Sequence, residues 1–102
     1  MTHSLHRHDL AAVAPKLAAL TEQVLFGDIW QRSELSRRDR SLITVAALIA
    51  AGRHQQLPWH FNFARENGLT HDELSEAITH LAFYCGWPAA VSALAQLHHP
   101  EA

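Results

Sequence analysis

The sequence predicts an all-α fold, a compact bundle of five to six helices. Three observations predict it. Apolar residues recur at three- and four-residue spacings along most of the chain. Glycine or proline punctuates those stretches where helices would end or begin. No segment alternates apolar and polar residues as a half-buried strand would.

The elements follow in order. Residues 1–8 are polar and His-rich and read as a flexible N-terminus, with 9–102 forming one domain. His8 or Asp9 opens a first helix whose apolar stripe is Leu10, Val13, Leu17, Leu20, Val24 and Leu25. Pro15 falls inside that stripe, where it either starts a later helix or kinks this one. Gly27 ends the element, and Ile29 and Trp30 form a short connector. Ser36 then reads as an N-cap. The helix after it, through Leu42, Ile43, Val45, Ala46, Leu48, Ile49 and Ala50, is apolar nearly all round, which predicts a central buried helix. A helix from about Gln55 to Glu66 takes Pro58 in its first turn and stops at Asn67-Gly68. Thr70-His71-Asp72-Glu73 is a capping box. Its helix turns Leu74, Ala77, Ile78, Leu81, Ala82 and Cys85 inward and breaks at Gly86. Pro88 is placed at N1 of a last helix carrying Val91, Leu94, Ala95 and Leu97, which ends at His98-His99-Pro100.

Composition narrows the function. The chain has 102 residues, of which 48% are hydrophobic and only 18% charged. A thin charge coat on so short a chain points to surface covered by further copies of itself. The formal net charge of -2 and the lack of a basic stripe argue against nucleic acid as a partner. The apolar run at 42–51 is too short to span a bilayer, and the N-terminus has no signal-peptide core. A single cysteine, Cys85, rules out an internal disulfide framework and fits a reducing cytoplasm.

Two histidines carry the chemical interest. His60 sits with Leu57, Phe61 and Ala64 at helical spacing, one turn after Gln56. It is either a hydrogen-bonded structural histidine or a proton-transfer group at the rim of the core. His80 lies one turn after Glu76 and one turn before Tyr84. A carboxylate at that spacing orients an imidazole as a general base, and it equally makes an ordinary surface ion pair. Trp30, Trp59 and Trp87 read as core or interface anchors, and Trp59, beside His60, alternatively walls a pocket. No two histidines stand four apart and Glu76 with His80 offers two ligands at best, so no metal site is expected, although His3, His6 and His8 would chelate adventitiously.

Together these residues carry a family resemblance. The string Phe26-Gly27-Asp28-Ile29-Trp30-Gln31-Arg32 with Leu35-Ser36-Arg37-Arg38-Asp39-Arg40-Ser41-Leu42 resembles the carboxymuconolactone decarboxylase family. So do Leu57 with His60, Asn67-Gly68-Leu69-Thr70, Glu73-Leu74-Ser75-Glu76-Ala77-Ile78, and His80 through Gly86-Trp87-Pro88-Ala89-Ala90. The resemblance spans most of the chain. It implies a helical fold similar to alkylhydroperoxidase D, assembly as a homotrimer or homohexamer, and active sites near subunit interfaces.

The resemblance also implies two chemistries. One branch reduces peroxides with a Cys-x-x-Cys ahead of a histidine matching His60. Here Arg53 and Gln56 stand where those cysteines would fall, and Ser41 stands where the relay glutamate would fall. Both sulfur atoms and the relay are gone, which argues against a dithiol peroxidase. The other branch resembles the lactone decarboxylase itself, which needs no cofactor. Its substrate is a small anionic acid from aromatic-compound catabolism. Under that branch His60 is the first acid/base candidate, with His80 and Glu76 the second. Arg40 and Arg53 are candidates for substrate carboxylates, and Arg40 is alternatively structural. Gln56, Trp59 and Tyr84 complete the candidate substrate site. Two other readings stand beside this one: a non-catalytic small-ligand-binding or assembly module, and a peroxidase using Cys85 alone.

Overall fold

A computed structural model describes residues 7–98, with side chains from Asp9 onward. Among them are six α-helices and no strand, so the all-α expectation holds. Most of the expected flexible N-terminus, with His3 and His6, and the end at His99-Pro100 lie outside the described residues. The chain divides into two compact units at the Arg37–Arg38 bond.

The first unit opens with α1 (Arg7–Val13) and α2 (Pro15–Leu20). The expected single helix is therefore split, and Pro15 is the cause. It takes the N1 position of α2, where its missing N–H costs nothing, and Ala14 before it leaves the helical region at φ -142° and ψ 76°. The Ala14 N–H still donates to the Leu10 carbonyl at 2.7 Å. A π-helical turn, Thr21–Phe26, extends α2. Gly27 follows that turn, and only glycine fits there because a Cβ would stand 2.7 Å from the carbonyl oxygens of Glu22 and Gln23. In the 3-10 turn Ile29–Gln31, Trp30 is buried and stacks on Phe26 at 5.9 Å. The expected stripe of Val13, Leu17, Leu20, Val24 and Leu25 is exposed on the single chain.

The second unit holds nearly all of α3 (Arg37–Ala50), then a 3-10 turn at His54–Gln56, α4 (Leu57–Glu66), α5 (His71–Cys85) and α6 (Trp87–His98). Its core is Val45 and Ile49 from α3, Leu57, Phe61 and Ala64 from α4, and Leu74 and Ile78 from α5, closed by Leu69 and by Ala90, Ala93 and Leu97. The Thr70 capping box forms as expected. Thr70 Oγ1 accepts from the Glu73 N–H at 3.0 Å, and Glu73 Oε1 accepts from the Thr70 N–H at 2.9 Å. Gly86, at φ +100°, separates α5 from α6 in a conformation that side-chain-bearing residues rarely adopt.

Two expectations need correction. The helix α3 is not buried all round: Ser41, Val45 and Ile49 form one buried stripe, while Ile43, Ala47 and Ala50 are exposed. A helix docked on one side of a single chain covers one stripe, however apolar its other faces are. The register of α6 also differs. It buries Ala90, Ala93 and Leu97, leaving Val91, Leu94 and Ala95 exposed. The core accepts the small alanines because they let α6 approach closely, which composition alone does not announce. Pro88 falls one residue inside the start of α6.

Candidate functional site

A groove of about 470 Å³ opens between α3 and α5. From α3, Arg38, Leu42 and Ala46 line it, each one turn after the last. From α5 come Glu73, Glu76, Ala77, His80 and Leu81, and Leu69 adds to the lining. The helical period explains this set. Residues three and four apart share a face, so one stripe of α3 and one stripe of α5 point into the same space. Leu42, Ala46, Leu69, Ala77 and Leu81 give the groove an aliphatic lining, and Arg38, Glu73, Glu76 and His80 are its polar members. A space of this size suits a small organic molecule.

At one end, Arg38 Nη2 donates to Glu73 Oε2 at 2.7 Å. Arg38 Nη1 donates to Asp39 Oδ1 at a longer 3.4 Å. The Thr70 N–H bond, then Arg38, holds the Glu73 carboxyl below its ordinary pKa. Glu73 in turn raises the guanidinium above its ordinary value. Sequence reasoning missed this pair. Glu73 was legible as a helix cap and Arg38 as one of several clustered charges, and nothing in their spacing announces that they meet.

His80 stands two turns along α5 from Glu73, with Glu76 between them. Its ring is exposed and stacks on the ring of Tyr84 at 5.0 Å and 29°. Glu76, His80 and Tyr84 thus share one face of α5, as their spacing predicts, and Tyr84 extends the row beyond the groove's lining.

His60 is elsewhere. It lies half-buried on α4, edge-on to Trp59 at 4.8 Å. Trp59 also packs against Phe63 at 4.9 Å. Burial pushes the His60 imidazole below its ordinary pKa, so the neutral ring dominates near neutral pH. Arg53 and Gln56, both exposed, flank the 3-10 turn that leads into α4. Arg40 is half-buried on α3 with its Nε enclosed, and its carbonyl accepts from the Thr44 hydroxyl at 2.7 Å. Among the described residues, the groove lining contains none of His60, Arg40, Arg53, Gln56 and Trp59. The two candidate histidines therefore belong to two different places on the second unit.

Ser41 has a structural occupation. It is buried, and its hydroxyl oxygen accepts from Asn67 Nδ2 at 2.9 Å, tying α3 to the end of α4. Among the described residues, no three His, Cys, Asp or Glu side chains gather as a metal-binding group. No helix among them is long and apolar enough to cross a membrane.

The carboxymuconolactone decarboxylase family, as a sequence model, matches residues 15–99. Over 69 residues the chain is 44% identical to the 4-carboxymuconolactone decarboxylase of Acinetobacter baylyi, covering 68% of this chain and 52% of that protein. Over 69 residues it is 39% identical to the nitrosuccinic acid decarboxylase of Metarhizium robertsii, covering 68% of this chain and 48% of that protein. The matched segment thus spans about half the length of each relative. Both relatives are named decarboxylases, and the family match covers most of this sequence. The chain belongs to the carboxymuconolactone decarboxylase family.

Proposed function

We propose that the chain is a cofactor-free carboxy-lyase acting on a small carboxylated lactone or a related acid of aromatic-compound breakdown in the cytoplasm. The observation that carries this reading is the α3/α5 groove, where a guanidinium, an imidazole and carboxylates join an aliphatic lining. The two matched relatives, named for decarboxylation of two different acids, support the reaction type.

The chemistry is simple to balance. The bond between the carboxylate carbon and its neighbour breaks, and CO2 leaves. The electron pair stays on the neighbouring carbon and spreads onto a conjugated carbonyl as an enolate. A proton then returns to carbon. The substrate's own carbonyl is the electron sink, so the protein must hold the acid, favour the enolate and supply the proton. His80, open to water for reloading, fits the last task. Glu76, one turn before it, stands at the spacing that orients an imidazole, and Tyr84 stacks on the ring.

A specific observation favours a second assignment within the same reaction. His60 is half-buried and its pKa is lowered. A neutral imidazole held that way is suited to take a proton or to hydrogen-bond an enolate. In that version Arg53 or Arg40 would hold the carboxylate, with Gln56 and Trp59 at the ligand.

Assembly as a homotrimer or homohexamer belongs to the same proposal. Phe83, Tyr84 and Trp87 are 81%, 78% and 69% exposed on the single chain, a cluster of large rings that a partner copy would cover.

The experiment is decarboxylation of a carboxylated lactone by the full chain, followed as CO2 release. Steady turnover supports the lyase. Tight binding of the lactone without CO2 release would replace it with the small-ligand-binding module.

A further inference from the structure

The groove's imidazole has an aromatic neighbour outside the groove. His80 belongs to the lining, and Tyr84, one turn further along α5, does not. The two rings stack at 5.0 Å and 29°. We propose that Tyr84 is a positioning residue for the proton step: the face of its ring holds the His80 imidazole at the groove, and its hydroxyl takes no part. This rests on the lyase reading for the identity of the step, and not for the hold itself.

Helix geometry gives the hold a direction. Side chains on an α-helix lean towards its N-terminus, so each covers the turn before its own Cα. On α5 that direction runs from His80 towards Glu76, which also lines the groove. The Tyr84 ring, coming from the turn behind, covers the opposite side of the imidazole. An imidazole swinging towards the C-terminal end of α5 meets the phenol ring, so the groove side is the one left open.

The stack is also the contact that restrains this ring. His80 is exposed, and an exposed side chain samples its rotamers freely unless a neighbour limits them. Glu76 stands at the spacing for a bond to it, yet among the described residues no hydrogen bond or ion pair joins the two. Stacking has a chemical advantage over such a bond. It takes up a face of the imidazole and leaves both ring nitrogens at the edge, where a ligand or water reaches them. A group that delivers a proton and is reloaded from solvent needs that access.

Tyr84 itself is not placed to deliver the proton. It is absent from the groove lining, so it acts through His80. A favourable aromatic pair changes an equilibrium by about 3- to 10-fold. Loss of the stack should therefore cost less than loss of the imidazole, which is worth about 100-fold or more.

The test uses the full chain, with melting curves to confirm that each variant folds. The His80 ring protons are assigned as the NMR signals lost in His80→Asn. In Tyr84→Leu they should move, because the ring current over them is gone, and in Tyr84→Phe they should return to their natural positions. With a carboxylated lactone as substrate, Tyr84→Leu should lower kcat by about 3- to 10-fold at unchanged KM. Tyr84→Phe should restore the natural kcat. In the His80→Asn background, Tyr84→Leu should change the residual kcat by less than about twofold, since the group it positions is absent. A purely structural or assembly role would lower that residual rate as well.

Unmoved His80 signals in Tyr84→Leu overturn the proposal. So does an equal loss of kcat in Tyr84→Phe, which would make the hydroxyl the acting group, and so does a further fall in the double variant. Absence of CO2 release by the natural chain defeats the lyase reading instead, and the NMR comparison then decides the hold by itself.

Discussion

Arg38 and Glu73 meet at 2.7 Å, and that bond joins the first turn of α3 to the first turn of α5. Glu73 spends its other oxygen on the Thr70 N–H. One carboxylate thus caps a helix and anchors the cation at the mouth of the groove.

This bond contributes to stability at the acid end. Bonds from Thr70, then from Arg38, lower the Glu73 pKa in the folded chain. A lowered carboxylate pKa contributes stability that is present above the ordinary value near 4.5 and is lost as pH falls through the folded value. The melting temperature of Glu73→Gln should therefore lie below that of the natural chain at pH 7. The gap should narrow as pH drops below 4.5. A gap that stays constant from pH 7 to pH 3 contradicts the assignment.

His60 governs the next window. Its folded pKa is lowered by burial, so the unfolded chain binds its proton more readily. Stability from this site is full above the ordinary value of 6.5 and is lost as pH falls from there through the folded value. Thermal melts from pH 8 to pH 5 should fall less steeply in His60→Gln than in the natural chain. An NMR titration of the His60 ring should give a midpoint below 6.5, and a midpoint at or above it would be contrary.

The exposed rings predict a contrast between two aromatic substitutions. Phe61 is fully buried, and Phe61→Ala should cost about 3–5 kcal/mol of folding stability. Trp87 is exposed on the single chain, and Trp87→Gln should leave the helical content intact. Its effect should appear as a fall in molar mass by light scattering. An unchanged mass contradicts the proposed role of this face in assembly.

Cys85 is half-buried and is the chain's one thiol. The lyase reading expects Cys85→Ser to keep full decarboxylation. It also expects any peroxide consumption to be identical in the two proteins. Loss of a peroxide-dependent rate in Cys85→Ser would restore the single-thiol peroxidase.

How much of this was legible in the sequence depended on how local the signal was. The capping box at Thr70 and the break at Gly86 act within a few residues and formed as expected, and Pro15 took the first of its two expected roles, the start of a later helix. The Glu76, His80 and Tyr84 row needed only helical periodicity. Tertiary choices were harder. Ala90 and Ala93 face the core because α6 approaches closely there, while the larger Val91 and Leu94 face out. A hydrophobicity pattern ranks those residues the other way. Arg38 was hidden for a related reason: its partner is 35 positions away in sequence. The separation of His60 from His80 likewise depends on where two helices lie, which neither motif encodes.

The most direct test of the account compares two substitutions at matched stability. Rates of CO2 release from a carboxylated lactone are measured for His80→Asn and His60→Asn, with melting curves confirming that both fold. The account predicts that His80→Asn lowers kcat by about 100-fold or more, the scale of a lost proton-transfer group, while His60→Asn retains most of it. Full activity in His80→Asn with loss in His60→Asn would contradict the groove as the place where the proton is delivered.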